Sequence, residues 1–499
     1  MDNGARFKDV GRAEPGYRDV EERVRDYAPV ERRFSDEETV LQASRCLDCG
    51  TPFCHGCGCP LTNVIPELTR LARAERWREA MDLLHSTNNF PEFTARVCPG
   101  LCEASCVLGQ GFEPVAIRHI EMAIVEKAYE LGLMKPRPPA ARRSEQVAVV
   151  GSGPAGLAVA DSLNRMGFHV TIFDSARRPG GILRYGIPDF KLEKRVLDRR
   201  LSLMEQEGVQ FEPGVTVGED ISYHYLKQRF AAICLAGGSR TPRDLAIPGR
   251  ELKGIHFAME YLVQQNRKLA GEELEPGREI SAAGKKVIVL GGGDTGSDCL
   301  GTAIRQGAAG VCQFEIMPKP PSARTEQMPW PSWPNILRES SSHKEGGERR
   351  WSVSTRRFLG QDGQVSRLEC GEVEWAPDQD GRTAPRELPG TEFEVAADLV
   401  LLALGFVGPA RNKIVDDLGI EKDKAGNIKV DNLHMTGVPG LFAAGDMARG
   451  QSLVVRAIAD GRATAKGIGQ YLDSRGGIAP PVTVPGGVFT GEGPPGNLI

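Results

Sequence analysis

The chain has 499 residues, of which 40% are hydrophobic and 26% charged, and its net charge is −4. This length predicts two or three domains, and the near-neutral charge argues against a protein that binds nucleic acid or an anionic membrane. The first residues, MDNGARFKDVGRAEPGYRDVEERV, lack the apolar core of a signal peptide, and no apolar run is long enough to cross a bilayer. We therefore expect a cytoplasmic protein with reduced thiols and no membrane partner.

Eight of the 12 cysteines fall in two groups near the start, CLDCGTPFCHGCGCP (46–60) and CPGLCEASC (98–106). Thiolates that converge at such short spacings are typical of iron–sulfur clusters, and proline follows Cys59 and Cys98 as it follows the last cysteine of a ferredoxin motif. Four thiolates also suit structural zinc, so two zinc sites are the alternative. Disulfides are the third possibility, and they require an oxidising compartment.

The residues between and after the cysteine groups have apolar positions at helical spacing. They predict one helix at 67–85 and another at about 116–132. Residues 1–140 are therefore predicted to be an α-helical domain that carries the cysteines.

A first nucleotide-binding turn lies in the sequence QVAVVGSGPAG (146–156), after a β-branched strand at 147–150. In a G-x-G-x-x-G turn the glycines let the backbone approach a pyrophosphate, and the next helix directs its positive end at it. The following strand ends at an acid that would accept hydrogen bonds from an adenosine ribose. The predicted binding residues are Gly151, Gly153, Pro154, Ala155, Gly156 and Asp174.

A second turn, KKVIVLGGGDTG (285–296), repeats the pattern after a strand at 286–290. The next strand carries Glu315, and an acid at this position favours a free ribose diol and repels a 2′-phosphate. We therefore favour NADH over NADPH, a preference that a loop bringing Arg324 back to the ribose would reverse. The candidate nucleotide-binding residues are Gly291, Gly293, Asp294, Thr295, Gly296, Glu315 and Arg324.

The sequence after the second turn indicates a return to the first domain. A strand in GLFAAGDMARGQSLVV leads through Gly445 into Asp446, which could accept a hydrogen bond from a flavin ribityl hydroxyl. A helix is predicted from about Ser452. The order predicts an α/β fold with two Rossmann-like nucleotide-binding domains, the second inserted in the first. The predicted boundaries are 145–260 and 396–475 for the outer domain, 261–395 for the inserted domain and 476–499 for a flexible tail.

The combined motifs resemble a known family between about residues 35 and 472. These motifs are the cysteine groups, VVGSGPAGL, GGILRYGIPDFKLEK (180–194), VLGGGDTGSDC, EIMPKPPSAR (315–324) and LFAAGDMARGQSLVV. They are similar to the small-subunit family of glutamate synthase, and the head-plus-flavoprotein plan also occurs in dihydropyrimidine dehydrogenase. The resemblance implies FAD at the first turn, NAD(P)H at the second, two [4Fe-4S] clusters in the head and a large amidotransferase subunit as the electron-accepting partner. It adds Gly181, Ser452 and Leu453 to the FAD residues.

The resemblance also implies two interleaved ligand sets. One is Cys46, Cys49, Cys54 and Cys106; the other is Cys59, Cys98, Cys102 and Glu121. The sequence departs from the family at CHGCGCP, where four residues rather than the usual three separate the two ligand cysteines. Cys57 is therefore an alternative to Cys59, and a solvated helix glutamate is the alternative for Glu121.

Two other functions compete with this interpretation. A ferredoxin-linked NAD(P)H oxidoreductase would share the same cofactors but would have a small flavoprotein partner. A zinc-stabilised nucleotide sensor or scaffold would contain neither iron nor flavin. The long stretch 317–350, which is rich in proline and serine, resembles the version in NADH-type glutamate synthases.

Overall fold

The computed structural model describes residues 7–275, 277–377 and 383–475. The predicted tail, 476–499, lies outside the described residues. Within them, no helix is both long enough and apolar enough to cross a membrane.

The N-terminal part, here called the head, comprises residues 7–140 of the described chain and has no β-strand among them. Its α-helices are α1 (Val20–Arg23), α2 (Asp36–Ala43), α3 (Ile65–Arg73), α4 (Trp77–Thr87), α5 (Pro91–Val97), α6 (Leu101–Ala104) and α7 (Ile117–Glu130). Helix α7 confirms the second predicted helix, whereas the first is divided into α3 and α4. The division occurs because Glu75 has φ of +53°, a left-handed conformation that an α-helix does not accommodate.

The rest of the described chain alternates strands with helices. In chain order these are β1 (Gln146–Val150), α8 (Pro154–Arg165), β2 (His169–Asp174), α9 (Ile182–Tyr185), α10 (Lys194–Gln206), β3 (Gln210–Pro213), α11 (Tyr223–Arg229), β4 (Ala232–Leu235), β5 (Thr241–Pro242), β6 (Ile255–Phe257), α12 (Ala258–Leu269), β7 (Lys286–Leu290), α13 (Asp294–Arg305), β8 (Gly310–Glu315), β9 (Glu348–Trp351), β10 (Val353–Gln361), β11 (Gln364–Pro377), β12 (Thr383–Glu387), β13 (Phe393–Ala396), β14 (Leu399–Leu402), β15 (Phe406–Gly408), α14 (Lys413–Asp417), β16 (Leu441–Ala443), α15 (Asp446–Arg449) and α16 (Val454–Arg475).

Two parallel five-stranded sheets confirm the predicted pair of nucleotide-binding domains. The first has the order β16-β4-β1-β2-β3 and the second the order β6-β14-β7-β8-β9. Strand β16 pairs with β4 after the chain has passed through the whole second sheet. The second domain is therefore inserted in the first, as predicted, and β10 to β13 form an antiparallel sheet attached to it.

The domain boundaries differ from those predicted from sequence. Strands β6 and β14 pair with each other and β14 also pairs with β7, so both belong to the second sheet. The inserted domain therefore includes residues 255–257 and 399–402, which the predicted boundaries gave to the outer domain. A short antiparallel ribbon of β5 and β15 joins the two domains. A run of buried apolar residues such as LVLL indicates a parallel strand but does not indicate which sheet it enters.

Buried ion pairs join the head to the outer nucleotide-binding domain. Arg200 of α10 lies with its Nε 2.5 Å from Oε1 of Glu92 in α5, and their side chains are 2% and 0% exposed. Arg200 also lies 3.1 Å from Nε2 of the buried His85. On α7, Glu126 pairs with Arg199 of the same helix α10. These contacts hold the cysteine-bearing head against the first sheet's helices.

Glu92→Gln is predicted to loosen this junction, because it leaves the buried charge of Arg200 without a counter-charge. The free energy of opening of α5 should fall by about 3–5 kcal/mol. Native-state hydrogen exchange of the α5 amides measures this quantity.

Glu421→Gln provides the control, since Glu421 pairs with Lys429 where both side chains are more than half exposed. Its effect should stay within about 0.5 kcal/mol. Unchanged hydrogen exchange of the α5 amides in Glu92→Gln would show that this ion pair does not stabilise the junction.

Candidate redox site

A continuous cleft of about 3750 Å³ runs between the two nucleotide turns and reaches the head. It is several times larger than a pocket for one drug-sized ligand, which has about 300–1,000 Å³. Residues of both turns line it, and so does Cys98 of the head. The cleft therefore has the space and the walls for more than one extended ligand.

The first turn is tightly closed at the start of α8. A Cβ atom on Gly156 would collide with the carbonyl oxygen of Gly151, which explains why the last position of this turn is glycine. Asp174 at the end of β2 accepts hydrogen bonds from the backbone N–H of Ser152 at 2.7 Å and of Ala176 at 2.8 Å. The sequence pattern had assigned no role to Ser152, because its position in a G-x-G turn is unrestricted.

Ser152 also connects the turn to the segment that follows β2. Its hydroxyl accepts a hydrogen bond from Gly180 N at 2.8 Å and donates one to Asp174. Gly181 packs on the turn so closely that a Cβ atom there would lie 2.7 Å from the Cα of Gly153. The predicted residues of this turn and Gly181 are thus brought together around one end of the cleft.

The return segment faces the same end of the cleft. Asp446 accepts a hydrogen bond from the Ser452 hydroxyl at 3.0 Å, and Gly445 N donates to Asp460 at 2.7 Å. Burial raises the pKa of Asp446 to about 6. Leu453 also lines the cleft. This half of the cleft therefore offers backbone N–H groups, partly buried carboxylates and an apolar wall.

The second turn repeats the geometry of the first at the N-terminus of α13. A Cβ on Gly296 would collide with the Gly291 carbonyl, which accepts a hydrogen bond from Gln313 Nε2 at 2.7 Å. Glu315 accepts hydrogen bonds from Gly292 N at 2.6 Å and from Met317 N at 2.9 Å. Gly291, Gly293, Asp294, Thr295 and Glu315 all line the cleft.

Arg324 is not brought to this turn. Its guanidinium donates to the carbonyls of Ser332 at 2.6 Å and of Ala104 in the head at 2.8 Å, and the residue does not line the cleft. Lys319 and Arg349 lie 5.0 and 4.8 Å from the ring centre of Trp351, which pairs with Glu315 across the neighbouring strands. The loop therefore does not bring Arg324 to the ribose position, which was the condition for a preference for NADPH.

The first predicted ligand set converges in the head. Cys46, Cys49, Cys54 and Cys106 line one small pocket together with apolar residues of α3 and α7. Burial first, and then the neighbouring thiols of Cys106 and Cys46, raise the pKa of Cys54 to about 12. Burial also raises the pKa of Cys46 and Cys49, and thiols that stay protonated when alone suit a site that metal binding deprotonates.

The second predicted set lies around Glu121. Burial raises the pKa of Cys59 to about 12, and the carboxylate of Glu121 and the thiol of Cys98 add to the rise. Burial is also the main cause of the raised pKa of Cys102, and Glu121, Cys59 and Cys98 contribute to the rise. Cys57 is exposed, whereas Cys59 is buried.

Glu121 is not a solvated helix glutamate. Its side chain is buried, and burial raises its pKa to about 7. The amide of Asn63 donates to it at 2.8 Å. Asn63 was not singled out from the sequence, because nothing in its local pattern links it to a residue of α7.

The cysteines of the chain form no disulfide bonds. All 12 cysteines are free, so no pair is bridged. No three His, Cys, Asp or Glu side chains within the described ranges lie close enough together for one metal ion.

Two family models divide the chain at the boundary between head and body. The model described as pyridine nucleotide-disulphide oxidoreductase matches residues 145–461. The model described as dihydropyrimidine dehydrogenase domain II, 4Fe-4S cluster, matches residues 23–133. The fold and the site thus define an oxidoreductase of the pyridine-nucleotide flavoprotein class with an iron–sulfur head.

Similar proteins narrow this class. The glutamate synthase [NADPH] small chain of Mycobacterium tuberculosis is 52% identical, over 96% of this chain and 98% of its own. The glutamate synthase [NADH] of Schizosaccharomyces pombe is 45% identical over 93% of this chain, which corresponds to 22% of that protein. The chain belongs to the glutamate synthase small-chain family. Mycobacterium tuberculosis FprA in complex with NADPH shares the fold, with a TM-score of 0.54 at 20% identity over 68% of this chain and 88% of its own.

Gly156→Ala is predicted to abolish FAD retention, since the added methyl group would displace the backbone of the first turn. The ratio of flavin to protein in the purified chain should fall to near zero. Gly437→Ala, in the same domain and with open space at its Cβ position, should keep the wild-type ratio. Full flavin content in Gly156→Ala would show that the turn does not hold the flavin.

Proposed function

We propose that the chain oxidises a reduced nicotinamide nucleotide at the second turn, through FAD bound at the first turn, and delivers the electrons through two [4Fe-4S] clusters in the head to a large glutamate synthase chain. The observation that carries this proposal is one cleft lined at once by Glu315 of the second turn, by Leu453 beside the first and by Cys98 of the head. Such a cleft allows a nucleotide, a flavin and a cluster to adjoin.

When bound, FAD supplies the conversion of a two-electron hydride into single electrons, which iron–sulfur clusters carry. The chain's own residues align these groups. The N-termini of α8 and α13 present backbone N–H groups to the two pyrophosphates. Asp174 and Glu315 would accept hydrogen bonds from the two adenosine riboses, and Asp446 from the ribityl chain. No side chain is proposed as a catalytic acid or base.

Two clusters are proposed because the ligand candidates form two separate sets. Cys46, Cys49, Cys54 and Cys106 would hold one cluster, and Cys59, Cys98, Cys102 and Glu121 the other. The second set is the one that reaches the cleft, since Cys98 lines it. The interleaving along the chain ties both sites to the same folded head.

The partner is proposed from the relatives. The S. pombe protein carries a homologous segment within a chain more than four times as long. We infer that this chain acts with a large chain that forms glutamate, in the cytoplasm. Co-purification of a large chain with glutaminase activity would support the proposal, whereas a small flavoprotein partner would support the ferredoxin-linked alternative.

Anaerobic purification with iron, sulfide and flavin analysis, followed by separate additions of NADH and NADPH, tests the proposal as a whole. Flavin bleaching by one or both nucleotides in an iron-containing chain is the expected result. A chain that contains zinc and no flavin would overturn it.

Glu315→Gln tests the proposed preference for NADH. The carboxylate is held by two backbone N–H groups and would accept from a free ribose diol. Its loss should lower the ratio of kcat/KM for NADH to that for NADPH by about tenfold. Glu326→Gln, at an exposed position of the following loop, should leave the ratio unchanged. An unaltered ratio in Glu315→Gln would remove the basis for the preference.

Cys59→Ser and Cys57→Ser test the choice between two neighbouring cysteines. Cys59 is buried beside Glu121 and Cys98, whereas Cys57 is exposed. Iron analysis should find about eight irons per chain in the wild type and in Cys57→Ser, and about four in Cys59→Ser. The reverse pattern would assign the ligand to Cys57.

A further inference from the structure

The segment between α9 and α10 is the place where the outer domain, the inserted domain and the N-terminal residues meet. Asn266 of α12 donates to the carbonyls of Tyr185 at 2.9 Å and of Ile187 at 3.2 Å. The guanidinium carbon of Arg305 in α13 lies 3.8 Å from the ring centre of Phe190. Val30 N donates to the Phe190 carbonyl at 3.0 Å. The segment therefore contacts both helices of the inserted domain that face the cleft.

Lys191 makes the only ion pair of this segment with α13 among the described residues. Its Nζ lies 2.5 Å from Oδ1 of Asp298 and donates to the Ser297 hydroxyl at 3.0 Å. The side chains of Lys191 and Asp298 are 19% and 11% exposed, and both residues line the cleft together with Ser297. A partly buried pair of this kind fixes two surfaces more firmly than an exposed pair.

Asp298 lies just inside the helix whose N-terminus follows the second glycine turn. Burial raises the pKa of Asp298 to about 6 against the opposing effect of Lys191. The cation thereby also neutralises a carboxylate close to the place where an anionic dinucleotide would lie. The pair links α13 to the segment between α9 and α10 of the outer domain.

We propose that Lys191 is a positioning residue, which through Asp298 and Ser297 fixes the inserted domain at the orientation that aligns the nicotinamide with the flavin. The inference rests on the proposed function. Because hydride transfer requires the reacting atoms in near-contact, a small displacement of α13 lowers the rate more than the affinity.

Lys191→Met and Asp298→Asn test the proposal in the purified, FAD-loaded chain. Anaerobic stopped-flow mixing with increasing NADH or NADPH gives the limiting rate of flavin reduction and the apparent Kd for the nucleotide. Each variant should lower the limiting rate by about tenfold to a hundredfold, with the Kd within about twofold of wild type. The double variant should be no slower than the single ones, because the two substitutions remove one interaction.

Two further variants separate positioning from loss of structure. Lys191→Arg keeps the charge and should restore the rate to within about threefold of wild type. Lys429→Met removes an exposed lysine that pairs with Glu421 and should have no effect.

An unchanged limiting rate in Lys191→Met overturns the inference, and a weaker Kd at that unchanged rate would mean direct contact with the nucleotide. A wild-type flavin that neither nucleotide reduces would overturn the proposed function instead, and the variants would then have no rate to lose.

Discussion

The buried ion pair between Glu92 and Arg200 is the contact on which the rest of the arrangement depends. Electron transfer between groups that do not touch falls steeply with their separation, so a head that carries clusters must keep a fixed position beside the flavin. Apolar packing alone would allow the head to slide. A desolvated carboxylate and guanidinium, with His85 beside them, resist displacement because separating them would leave a buried charge unpaired.

The inserted domain is held by several weaker restraints. It is joined to the outer domain by the short ribbon of β5 and β15 and contacts it again around Phe190 and Lys191. It also reaches the head, because Ser105 donates to the Pro331 carbonyl at 2.8 Å and the rings of Phe53 and Trp330 lie 4.5 Å apart. The loop after β8 thus contacts residues directly next to Cys54 and Cys106. Nucleotide, flavin and cysteine sites therefore belong to one connected framework.

The sequence predicted those features that depend on local patterns. The glycines of both turns have a fixed spacing because the backbone must pack closely against Gly151 and Gly291. Buried parallel strands appear in the sequence as short apolar runs. The family, the α/β fold and the inserted order of domains were predicted correctly for this reason. The split of α3 from α4 was not predicted, since one left-handed residue, Glu75, leaves the helical pattern intact.

Features that depend on tertiary contacts could not be predicted from the sequence. The pairing of β14 with the inserted sheet, the contact of Asn63 with Glu121 and the role of Ser152 all join residues far apart in sequence or at unrestricted positions. Arg324 lay near Glu315 along the chain, yet the loop takes it to the carbonyl of Ala104. Sequence proximity is a poor guide to contacts inside a long loop.

The most direct test of the central claim is freeze-quench electron paramagnetic resonance of the anaerobic, fully loaded chain after mixing with excess NADH or NADPH, with flavin absorbance followed in parallel. The account predicts that flavin bleaching comes first and that a reduced iron–sulfur signal follows within the same turnover. Clusters that stay oxidised while the flavin is fully reduced, or that become reduced equally fast in a flavin-free chain, would contradict it.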